Sequence, residues 1–180
     1  MPWATRRPTG LVLARDVVFP VAAAAVITLS SEMRIPLGLP GHRGLVWLTL
    51  LVTVALTARR PQAVLAVGAA STAATVLLQS GPGPWAGVRY LGAAAFLYLL
   101  TTNPAVRSHR WLVALAAAPI HLVALAVPMT TALTGGHHAA MVGIGDKALF
   151  HLGFGLVAGI LGWAIAAAMD WAAPETSRGA

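Results

Sequence analysis

Lys147, His151, Gly155 and Gly159 recur at every fourth position, so on a helix they share one face. Lys147 and His151 supply an ammonium donor and an imidazole able to donate, accept or ligate. Gly155 and Gly159 form a small-xxx-small stripe through which a second helix can approach closely. His151 falls roughly 9 Å inside the end of its apolar run at 1.5 Å per residue. An imidazole at that depth requires a polar partner or water. His121 is the second such histidine. It follows Pro119, about 16 Å from Arg110 on the same rise. Counted from opposite ends, His121 and His151 come within about 5 Å of each other in depth. They can flank one ligand or share a metal ion, and they are the metal candidates of the chain. The structural alternative is that Lys147 snorkels to headgroups, His151 bonds a neighbouring helix, and His121 satisfies carbonyls freed by Pro119.

A third concentration of polar chemistry lies at 35–44, IPLGLPGHRG, where prolines and glycines frame His42 and Arg43. Fixed prolines with glycines for tight turning suit a short loop folded back over its neighbours. Arg89 and Tyr90 open a later apolar run, and Glu32, Arg34, His137, His138 and Asp146 fall at the same level as the loop. Together they predict a polar pocket in which His42, Arg43, Lys147 and His151 contact a solute, with Arg89 and His121 beside them. Simple pairing of these charges at a headgroup surface is the alternative. Trp47, Trp85 and Tyr90 sit near run ends, as an aromatic belt does, and one or two of them could line the pocket. No catalytic motif is present: HExxH, GxSxG, P-loop and GxGxxG contexts are missing, so no catalytic residue and no cofactor is assigned.

The elements that must position these residues follow from composition. The chain of 180 residues is 58% hydrophobic and 9% charged, with a mean hydropathy of +0.77. That is too little polar matter to cover a soluble globule, and long apolar runs place the chain in the membrane class. The expected fold is an all-α integral membrane protein, a bundle of six transmembrane helices in one domain over 1–180. The spans are about 11–30, 44–58, 62–79, 87–102, 110–130 and 145–171. Arg6 and Arg7 ahead of Val17–Leu29 also have the layout of a signal peptide; five further spans favour a first helix. With the N-terminus inside, Arg6, Arg7, Arg15, Arg59, Arg60, Arg107, Arg110 and Arg178 are cytoplasmic, eight of the 12 Lys and Arg. Arg34, Arg43, Arg89 and Lys147 remain outside, so the bias predicts an N-in, C-in protein of the cytoplasmic membrane. The basic residues sit at run ends with no basic stripe, which argues against nucleic acid. Zero cysteines exclude thiolate ligands and a disulfide framework. Asp16 beside Arg15 reads as a local pair. In the third span, Ala66, Ala70 and Ala74 form a further small-residue packing stripe.

In layout the chain resembles the substrate-binding S components of energy-coupling factor (ECF) transporters. The likeness rests on EMRIPLGLPGHRG between the first two spans and on GDKALFHLGFGLVAGILG in the last. The resemblance implies capture of a vitamin-like molecule or metal ion in an outward-facing pocket, with the first loop as a lid. It also implies a membrane coupling subunit and two ATPases as partners. The Ala-x-x-x-Ala docking pattern often found on the family's first helix is not matched: Ala22–Ala25 is followed by Val26, Ile27, Thr28 and Leu29. Two other classes fit the residues: a membrane metal or redox protein or enzyme using His121 and His151, and an accessory scaffold subunit of a membrane complex.

Overall fold

The computed structural model describes residues 10–33, 39–79, 85, 87–134 and 143–172. Among these residues the ordered elements are all helical. Helix α1 (Gly10–Leu13) runs through a π-helical stretch, Ala14–Val18, into α2 (Phe19–Glu32). Pro20 lacks the N–H that would bond the carbonyl of Asp16, which accounts for the loosened winding just before it. Then follow α3 (Gly44–Thr57), α4 (Gln62–Leu77), α5 (Val88–Thr102) and the short α6 (Pro104–Ser108). Helix α7 (Arg110–His121) passes through a 3-10 stretch, Leu122–Leu125, into α8 (Ala126–Thr134), and α9 (Ile144–Ala172) completes the order. The 3-10 stretch lies between Pro119 and Pro128, the second of which removes the donor for the Ala124 carbonyl.

Three segments are long and apolar enough to cross a membrane: Ala14–Glu32, Arg110–Thr130 and Ile144–Ala172. Helices α3, α4 and α5 are apolar but shorter, at 14, 16 and 15 residues, against the roughly 20 a full crossing needs. The outer surface is correspondingly apolar: Leu77 is 82% exposed, and Val21, Leu29, Leu99 and Leu149 are exposed on three other helices. In water such a surface would be a liability, whereas lipid solvates it.

Helix α3 is the central element. Trp47, Leu48, Leu51, Val52, Val54 and three threonines on it are buried. Thr53 and Thr57 return their hydroxyls to the carbonyls of Thr49 and Thr53 at 2.8 Å, so the buried hydroxyls stay satisfied. Helix α9 packs against both α3 and α7. A Cβ on Gly159 would collide with the Ala114 carbonyl, one on Gly155 would lie 2.7 Å from the Ala117 carbonyl oxygen, and one on Gly162 would lie 2.7 Å from Val52. These three glycines therefore set how closely the helices approach. Ala66 and Ala70 point away from the rest of the chain, and Ala74 is half-buried. Helix α4 packs instead through Val64, Val67, Gly68, Ser71 and Thr75; a Cβ on Gly68 would overlap Ala94 of α5. Ala66 and Ala70 thus lie away from the packed side of α4, with Ala74 at its edge.

At the end of the molecule formed by the start of α7 and the ends of α3, α5 and α9, Asp170 pairs with two cations. Arg15 Nη1 lies 2.9 Å from it, and Arg110 is the second partner. Asp16 does not pair with Arg15. Successive helical residues point to different faces, and Asp16 accepts the backbone N–H of Arg59 at 2.9 Å instead. Arg107 donates to the carbonyls of Ala58 and Arg59 at 3.2 and 2.9 Å, completing the C-terminal end of α3.

Candidate functional site

At the opposite end, the segment 39–43 and the starts of α3, α5 and α9 meet the later part of α7 around an open cleft of about 440 Å³. The segment reaches the cleft through a turn at Gly41, whose φ of +85° belongs to the left-handed region. Gly41 lies on the His151 ring: a Cβ there would be 3.1 Å from Nδ1. One residue before α3, Arg43 ends the turn, and Gly44 N–H donates to the Gly41 carbonyl at 2.8 Å. Gly44 is then pressed against His121 so closely that any Cβ would overlap the imidazole. The glycines of GHRG thus do two jobs, one turning the chain and one admitting His121 beneath it.

The floor is aromatic. Trp47, 2% exposed, packs edge-on against Tyr90 at 5.6 Å and against His121 at 5.4 Å between ring centroids. His121, 1% exposed, lies 4.8 Å from the His151 ring with a tilt of 40°. His121 Nδ1 donates to the His151 carbonyl at 2.8 Å, and His151 Nδ1 donates to the Lys147 carbonyl at 2.8 Å. Since a carbonyl can only accept, both rings carry a proton on Nδ1, and each Nε2 can accept a hydrogen bond or ligate when the ring is neutral. Arg89 lies over the Tyr90 ring at 4.9 Å and donates Nη2 to the Tyr90 hydroxyl at 2.9 Å. Its Nε is buried with no hydrogen-bond partner among the described residues.

His42, Arg43, Arg89, His121 and His151 all line this cleft. Lys147 does not. It is half-buried in the first turn of α9, and what it supplies there is the carbonyl that holds His151. Glu32 and Asp146 are exposed and outside the lining, so among the described residues no carboxylate borders the cleft. Arg34, His137 and His138 lie outside the described residues. Trp47 and Tyr90 are buried in the floor and form no belt, whereas Trp85 is 65% exposed. Leu39, Pro40 and Ala124 complete the apolar part of the wall. Leu39 and Ala124 carry no signal of their own in the sequence, and Pro40 reads there only as a stiffener of the loop. No group of three or more His, Cys, Asp or Glu is gathered as a metal site among the described residues. Comparisons with protein-family models, curated proteins and solved structures returned no match.

Proposed function

We propose that this chain is a membrane-embedded solute-binding subunit of an ECF-type importer. Six helices cross the cytoplasmic membrane with both termini inside, and the cleft faces outward to take a small vitamin-like solute. The observation that carries the reading is the cleft itself, where the first loop and four helices bring two arginines and three histidines over an aromatic floor. Its volume of about 440 Å³ suits a small molecule, as does the mixture of apolar wall and few polar groups. The helices that fall short of about 20 residues cross by borrowing their polar flanks or by local thinning of the bilayer. Release on the inner side falls to a membrane coupling subunit and paired ATPases. The exposed Ala22 and Ala25 of α2 and the exposed Ala66 and Ala70 of the adjoining α4 are the surface offered to the former.

Thermal unfolding of the purified protein against a panel of vitamins, precursors and divalent metals tests the proposal. At least one compound is expected to raise the midpoint, and His151→Ala is expected to remove that rise. A panel without effect on the midpoint sinks the solute-binding reading. A second reading, a two-histidine metal or redox centre, is favoured by one observation: both Nδ1 protons are committed to carbonyls, as in metal-bound histidines. Metal analysis and a visible spectrum of the purified protein separate the two, since a colourless, metal-free preparation removes the second.

A further inference from the structure

We infer that the cleft is an oxyanion site: the captured solute presents a carboxylate or phosphate group, which Arg89 and Arg43 hold. The inference rests on reading the cleft as solute-binding and adds the chemistry of what enters it. Two arginines and three imidazoles line the space, and among the described residues no Asp or Glu does. The only ion pairs between described residues, both made by Asp170, lie at the other end of the molecule.

Arg89 carries the argument furthest. Tyr90 fixes the guanidinium from one side, with the ring beneath it and the hydroxyl accepting from Nη2. The Nε–H is buried with no acceptor among the described residues. A buried charged donor without an acceptor is costly, and native structures supply one. A guanidinium edge matches the two oxygens of a carboxylate or phosphate, which accept two parallel N–H bonds. Arg43 lines the same cleft from the residue preceding α3, so the positive end of a 14-residue helix faces the space as well. The imidazoles add acceptor or donor capacity at their Nε2 atoms, and Trp47, Leu39, Pro40 and Ala124 offer apolar contact. The matching solute is a small amphipathic acid or phosphoester. A divalent metal ion alone would meet two guanidinium charges and, among the described residues, no carboxylate.

The test uses the full chain in phosphatidylcholine nanodiscs. Inorganic phosphate and succinate are titrated separately at constant ionic strength with chloride as the balancing ion, and the unfolding midpoint is read. A saturable rise is expected with at least one of them. Arg89→Gln should weaken the apparent affinity about tenfold or more. Arg89→Lys should recover only part of it, because the charge is retained and the fork is lost. Arg59→Gln, at the other end, should leave it unchanged. Arg43→Gln provides a second variant if Arg89→Gln lowers the midpoint without added anion. A parallel series with phosphatidylglycerol in the discs identifies the source of the anion. A rise with this lipid alone, lost in Arg89→Gln, supports the oxyanion site but assigns it to a headgroup, which removes the solute reading. No Arg89-dependent rise with phosphate, succinate or phosphatidylglycerol overturns the inference. If zinc or a neutral solute then shifts the midpoint through His151, the solute-binding reading survives without it.

Discussion

The two polar ends of this molecule treat their cations differently. At the end formed by Arg15, Arg107, Arg110 and Asp170, one carboxylate serves two guanidinium groups and a third guanidinium completes the carbonyls at the end of α3. At the cleft, Arg43 and Arg89 face three imidazoles, and the only acceptor for either guanidinium among the described residues is a tyrosine hydroxyl. The first arrangement answers its own charge and is a structural clasp joining α9 to the π-helical stretch before α2 and to the start of α7. The second shows no counter-charge among the described residues, as the proposed oxyanion site requires. The contrast is useful because the same residue type, arginine, does both jobs in one chain.

The sharpest way to break the cleft end is to disturb its packing. Gly44→Ala places a methyl group on the His121 imidazole, and overpacking of this kind costs about 2–3 kcal/mol. The unfolding midpoint in detergent should fall by several degrees. Gly153→Ala, whose Cβ meets nothing within 4 Å, should leave the midpoint unchanged or raise it, since alanine is the better helix former by about 1 kcal/mol. Equal effects of the two would mean that His121 does not occupy the space under Gly44. His121→Ala should cost about 2–3 kcal/mol, through the cavity and the orphaned His151 carbonyl. Urea titration of the two proteins measures it, and a loss below about 0.5 kcal/mol would show that the histidine pair is not part of the packed core.

Breaking the clasp at the other end should matter less. Asp170→Asn leaves Arg15 and Arg110 without their carboxylate, but Asp170 is 34% exposed and Arg110 40%, so solvent screens much of the loss. The expected cost is about 1 kcal/mol, and it should shrink as salt is raised. A loss independent of salt would point to packing and not to charge.

Much of this organisation could be read from residue order. The apolar runs mark the helical segments to within a few residues, because hydrocarbon-facing helices need little more than continuous hydrophobicity. His42, Arg43, Arg89, His121 and His151 stand out because polar groups are scarce in such a chain. What stayed hidden depends on rotation and neighbours. Lys147 shares the face of His151, yet one turn nearer the helix start it falls outside the cleft lining. Ala66, Ala70 and Ala74 form as regular a stripe as Gly155 and Gly159, but only the glycines meet another helix backbone. Trp47 sits at a helix end like a belt residue, and its burial between Tyr90 and His121 follows from helix order in space, which no periodicity encodes.

The smallest expected effect is also the one that separates the two ends most directly. Arg43 is exposed and precedes α3, with no side-chain capping bond. A cation there opposes the positive end of the helix dipole and is repelled by Arg89 across the cleft. Arg43→Asp should therefore stabilise the ligand-free protein, by about 0.3–1 kcal/mol, while weakening anion binding at the same site. Asp170→Asn, by contrast, should destabilise the protein and leave anion binding intact. Urea unfolding with and without phosphate measures both quantities on each variant. If Arg43→Asp instead destabilises the free protein as Asp170→Asn does, Arg43 is a clasp like Arg110, and the difference between the two ends disappears.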